Sequence, residues 1–274
     1  LKCPTQAIGL IEIPEGIETI KCNAFENCCD IESVVIPSSV KKIEENAFKG
    51  CINLKTISIP DSVNIIPAGC FNGCIELTKV ELPSTITKIS NDAFSNCCNL
   101  IDILISDVVT EIGSSAFHNC SNLCKIQIPD SVIEIGPSAF EGCRSLESIN
   151  LSQKIKYINC NTFRGCELLN KIWIPKNVAI IGSEAFGGCE NMSIVAIQSN
   201  HIKIDPTAFL QCSNISRLYL ANNNPNVVIS SFGDSIAIKI ISPISDYDRI
   251  KSSASTSAED LYKTHATNLK YMAL

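Results

Sequence analysis

The chain has 274 residues, is 45% hydrophobic and carries a net charge of −6 at a pI near 5.2. An acidic balance without a basic stripe argues against a general nucleic-acid binder. No apolar run is long enough to span a bilayer, which argues against membrane insertion of this segment.

The predicted elements follow a single period. The ten Phe are Phe25, Phe48, Phe71, Phe94, Phe117, Phe140, Phe163, Phe186, Phe209 and Phe232, each 23 residues after the last. Cys follows three residues later in nine cases, from Cys28 to Cys212. An aliphatic follows at six residues, two more at nine and eleven (Ile57 and Ile59, Val80 and Leu82), and another Ile at eighteen. Pro often closes the strand, as at Pro60, Pro83 and Pro129, where its missing N–H does least harm to a ladder.

The chain opens with Leu1, and Ile8-x-x-Ile11-x-Ile13-Pro14 already reads as a repeat strand. No signal peptide is visible, and the sequence is expected to begin inside an array, so that a localisation signal could have been removed. Each later unit reads L-x-x-I-x-I, which turns two aliphatics inward and their neighbours outward. One such coil cannot bury its inner face alone, so coils must stack. A period in this range with a Leu-type strand predicts an α/β leucine-rich-repeat solenoid. The expected form is right-handed, with a parallel sheet on one face, about eleven strands, and little helix except a C-terminal cap.

Sixteen Cys would suggest disulfides in a small secreted chain. Nine of them share the Phe register and are expected to be buried free thiols, packing as small apolar groups. The off-register Cys3, Cys22, Cys29, Cys70, Cys98, Cys124 and Cys160 are the better disulfide candidates. No C-x-x-C occurs and only three His are present, so neither a metal nor another cofactor is expected.

Outward strand positions lie eight and ten residues after each Phe. Most hold small or polar residues, such as Thr56 and Ser58, or Ser148 and Asn150. Lys171, Trp173, Ile194, Arg217 and Tyr219 differ, and they fall on adjacent strands about 5 Å apart. Trp, Tyr and Arg are enriched at binding hot spots. These five residues form the candidate ligand-binding set; the alternative is that they only cover the sheet beside a terminal cap. No nucleophile stands beside a base, and His118 and His201 lie in different columns, so no catalytic residue is expected. Asn-x-Ser/Thr sequons at Asn119, Asn150, Asn191 and Asn214 barely bear on location.

The register drifts at the end. Asn222-Asn223-Asn224-Pro225 replaces the usual stretch, and a strand is expected early, at Ile236, Ile238 and Ile240. The array is thus expected over residues 1–241, with a cap or tail over 242–274. In the tail, residues 246–250 could form a short helix, 252–257 a linker and 258–272 a helix with Leu261, His265, Leu269 and Met272 on one stripe. His265 reads as a packing residue.

Ile128-Pro129-Asp130-Ser131-Val132-Ile133-Glu134-Ile135-Gly136-Pro137-Ser138-Ala139-Phe140-Glu141-Gly142-Cys143 resembles the repeat of the BspA-like leucine-rich-repeat family. The resemblance extends from about Ile8 to Ile241. Members occur in oral and gut bacteria and in parasitic protists such as trichomonads and Entamoeba. The resemblance implies a non-enzymatic protein-binding role, often adhesion to host proteins or cells, and a cell-surface or secreted location. A cytoplasmic scaffold or regulatory subunit is the competing expectation.

Overall fold

The fold is that of a computed structural model, which describes residues 8–220, Phe232 and Lys239–Ile241. Among the described residues, twenty parallel strands fall into two columns. The first column holds β1 (Gly9–Glu12), β3 (Ile31–Val35), β5 (Thr56–Ser58), β7 (Lys79–Glu81), β9 (Asp102–Ile103), β11 (Lys125–Gln127), β13 (Ser148–Asn150), β15 (Lys171–Ile174), β17 (Ile194–Ile197), β19 (Arg217–Leu220) and β20 (Lys239–Ile241). The second holds two-residue strands: β2 (Thr19–Ile20), β4 (Lys42–Ile43), β6 (Ile65–Ile66), β8 (Lys88–Ile89), β10 (Glu111–Ile112), β12 (Glu134–Ile135), β14 (Tyr157–Ile158), β16 (Ile180–Ile181) and β18 (Lys203–Ile204).

Every strand pair is parallel, and neighbouring coils pair at the sequence period: Thr56 with Lys79, Lys125 with Ser148, Lys171 with Ile194. At β20 the pairing tightens by one residue, with Arg217 opposite Lys239. The second column is new relative to the sequence reading. Its strands carry one inward Ile and one outward residue, too short to produce an alternation.

The helical part of the expected α/β class has no counterpart among the described residues, which contain no α-helix. The physical reason lies in the corner around each Phe. Two residues before it and two after it the backbone turns left-handed, as at Ser115 (φ 54) and Asn119 (φ 57). That conformation breaks any helix. It also aims the Asn119 N–H along the stack, where it donates to the Glu141 carbonyl at 2.7 Å. Even the corners are therefore bonded coil to coil. Where Gly142 (φ +74) takes this position, an added Cβ would stand 2.4 Å from Asn119 Oδ1.

The core is a continuous column. Phe48 to Phe232 are buried without exposed surface. From Phe25 onward, successive rings stack at 4.7–5.6 Å between centroids. Fully burying such a ring contributes roughly 1.5–3 kcal/mol.

Eight register Cys, from Cys51 to Cys212, are buried free thiols. Each donates its Sγ–H to the Phe carbonyl of the preceding coil at 3.0–3.3 Å. The ninth departs from expectation, because Cys28 is disulfide-bonded. It is the first Cys of the register. Among the off-register disulfide candidates, Cys22, Cys29, Cys70, Cys98, Cys124 and Cys160 are free, and Cys3 lies outside the described residues. The helices and linker expected within 242–274 also lie outside them.

Candidate protein-binding face

On the first strand column the outward positions alternate cleanly with the core through most of the array. Thr56, Ser58, Lys79, Glu81, Lys125, Gln127, Ser148 and Asn150 are all exposed, while the residues between them are buried. Lys79 and Glu81 pair at 2.8 Å. Beside them Leu104 stands 78% exposed on the floor of a shallow depression shared with Asp102, Lys125 and Gln127. An isolated exposed Leu of this kind needs no special explanation.

The last strands differ. β15, β17 and β19 are four residues long, and their register places Lys171, Ile194 and Arg217 in one row and Trp173, Ala196 and Tyr219 in the next. The five residues singled out from the sequence are thus brought together on three neighbouring strands. Their exposure is not what an open outward face would give. Trp173 is 6% exposed, Ile194 7% and Tyr219 3%, whereas Lys171 and Arg217 are half-buried.

Burial sets the electrostatics of the patch. The Lys171 ammonium sits 5.6 Å from the Trp173 ring centroid, within cation–π range. Desolvation holds its pKa below the ordinary lysine value. The Tyr219 phenol is pushed up by burial, opposed by the charge and hydrogen bond of Arg217. The Trp173 Nε1–H is buried and meets no acceptor. The patch therefore combines two cations, three large apolar groups and one unsatisfied donor.

Among the described residues no group of three or more His, Cys, Asp or Glu side chains is placed to hold a metal. Nor is any helix long and apolar enough to cross a membrane. His118 and His201 remain in different columns, apart from the patch. Sequence reasoning found the patch through its register. It missed the burial, which depends on what lies over the face and has no periodic signal.

The BspA type leucine rich repeat region, in six copies, matches residues 5–124, 87–216 and 133–261. The chain belongs to the BspA-type leucine-rich-repeat family. Among solved structures it is similar to a leucine-rich repeat protein from Bacteroides ovatus, at 28% identity and a TM-score of 0.67, covering 85% of this chain and 69% of that one. It is also similar to the T. pallidum leucine rich repeat protein, at 28% identity and a TM-score of 0.55, covering 70% of this chain and 91% of that one. No protein of curated function matches the chain. This BspA-type array accounts for the Ile-Pro, Ala-Phe and Gly-Cys columns in one stroke: each is a fixed position of the coil.

Proposed function

We propose that this BspA-type array is a non-enzymatic protein-interaction module, carried by a cell-surface or secreted adhesion protein, that binds a protein ligand through the outward face of its first strand column. The observation that carries the reading is the placement of Lys171, Trp173, Ile194, Arg217 and Tyr219 on three registered strands. A solenoid needs no bulky groups there, as the small polar residues of β5 and β13 demonstrate. Aromatics and Arg offer large rigid contact area, and losing one anchor typically costs about 2 kcal/mol or more of binding. The two cations favour a ligand with acidic groups. Family membership, through the resemblance described above, supports adhesion at a surface.

The experiment compares wild type with Trp173→Ala/Tyr219→Ala for binding to a protein captured from host extract. Weaker binding by a correctly folded double variant supports the face; equal binding moves the contact elsewhere.

One observation favours a second reading, an intracellular scaffold for another protein. Fourteen described Cys are free thiols, which reducing compartments preserve. Protease treatment of intact cells separates the two: cleavage of the array places it outside.

A further inference from the structure

The second strand column changes character along the array. In its first half the outward row reads Thr19, Lys42, Ile65, Lys88 and Glu111, with Ile65 the single apolar member. From the coil of β12 onward apolar surface gathers. Ile133, Tyr157 and Ile180 are 57%, 51% and 42% exposed. Tyr157 pairs in register with Ile180, and Ile180 with Lys203. Ile133 and Tyr157 line one depression together with Lys154 and Lys156. Exposed large apolar residues are ordinary singly, but a contiguous group rimmed by polar residues marks an interaction surface.

We propose that the outward side of the second column from β12 to β18 is a second contact surface, and that it takes an acidic polypeptide segment bearing apolar side chains.

The lysines select this occupant. Every Lys from Lys21 to Lys88 is ion-paired to a Glu of its own or a neighbouring coil. Lys154, Lys156 and Lys203 are exposed and, unlike these, form no ion pair among the described residues. Two acids lie close by. Glu134 lines the same depression. Asp205 follows Lys203, but its carboxylate is held by the Thr207 backbone N–H and hydroxyl at 2.9 and 2.7 Å. The surface therefore keeps a cationic excess beside its apolar centre, which complements a segment that is both acidic and apolar. A polypeptide fits better than an anionic membrane or a nucleic acid. The whole chain carries −6 and is repelled by an extended negative surface, whereas a short segment meets only the charge within a Debye length of about 8 Å. From β12 to β18 is three strand spacings, roughly 14 Å, which about five extended residues cover.

This surface lies on the other strand column from Trp173 and Tyr219, so either contact can fail without the other. Fluorescence anisotropy of a labelled decapeptide of alternating Glu and Leu tests it. Saturable binding to the full chain is expected, weakening as salt is added. Tyr157→Ser and Lys154→Glu/Lys156→Glu should each weaken binding by roughly fivefold or more. Their melting temperatures should match wild type, since the replaced side chains are exposed. Lys49→Glu/Lys55→Glu alters the net charge equally but lies in the ion-paired half, and should leave binding unchanged. A decapeptide of alternating Glu and Ser should bind several-fold more weakly than the Glu and Leu one. Absence of binding by the Glu and Leu peptide, or equal binding by Tyr157→Ser, would overturn the proposal. So would an equal loss in Lys49→Glu/Lys55→Glu, which assigns the effect to net charge. Sedimentation with phosphatidylserine vesicles that is lost in Tyr157→Ser would give the surface to a membrane and overturn the proposal. Concentration-dependent dimerisation lost in the same variant would give it to a second copy, with the same consequence.

Discussion

The thiol of Cys97 donates to the carbonyl of Phe71, a residue of the preceding coil, at 3.1 Å, and the same carbonyl accepts the backbone N–H of Cys74 at 3.0 Å. One acceptor thus closes its own corner and ties the next coil to it. This explains why a small donor, rather than Ala or Val, follows each Phe. Cys97→Ala should destabilise the array by about 1–2 kcal/mol, since the carbonyl keeps its N–H partner but loses the thiol and a little packing. Denaturant unfolding of the two proteins measures it.

Alkaline pH should act on the whole column. Burial pushes the Cys51 thiol up to about 12 and raises Cys74, Cys97, Cys120, Cys143, Cys166 and Cys189 well above the ordinary value. Below pH ~8.5 the thiols are protonated in both folded and unfolded chains, and their contribution is fully present. Above it the unfolded chain sheds protons that the folded one retains, so stability falls, continuing for Cys51 until about pH 12. Each deeply buried thiol adds about 1.4 kcal/mol per pH unit to that slope. Stability measured from pH 8 to 10 should fall less steeply in Cys97→Ala than in wild type.

Phe117 stacks between Phe94 and Phe140, 5.4 Å from each. Phe117→Ala should cost about 3–5 kcal/mol. Because each coil touches only its neighbours, the loss should first be local. Hydrogen exchange should quicken around residues 94–140 before the ends follow, and an unchanged exchange pattern would remove Phe117 from the core.

Gly142→Ala combines two penalties, a left-handed backbone and a Cβ 2.4 Å from Asn119 Oδ1. The backbone part is about 1–2 kcal/mol. Asn119→Gly introduced beside it removes the clashing oxygen and should recover only the remainder. A double-mutant cycle in urea isolates that coupling; additive costs would mean the Asn119 side chain moves aside freely.

The parts of this molecule legible in the sequence are those that repeat with one residue type. Phe, Cys and the strand aliphatics each face a single environment in every coil, so their identity and spacing give the stack and its register. The left-handed corners were illegible because Asn119, Gly142, Gln211 and Asn96 all serve at one position, and Ser115, Asp92 and Glu184 at the other. There the constraint is on backbone, not on chemistry. The second strand column went unseen because Lys42–Ile43 or Glu134–Ile135 offers one inward residue apiece. Of the candidate face, the grouping of Lys171, Trp173, Ile194, Arg217 and Tyr219 followed from register alone. The disulfide at Cys28 breaks the Cys rule, and the period carries no mark of it, since Cys28 shares the register of the eight free thiols.

The central claim is that each coil from Phe48 to Phe209 places its Cys in the core, bonded to the Phe carbonyl of the coil before. Alkylation of the native protein at neutral pH, followed by mass spectrometry of each Cys peptide, tests it most directly. The account predicts rapid modification of the exposed Cys22, Cys29 and Cys160 and protection of Cys51, Cys74, Cys97, Cys120, Cys143, Cys166, Cys189 and Cys212 until denaturant is added. Prompt labelling of the register Cys in the native protein, or their recovery as disulfides, would contradict it.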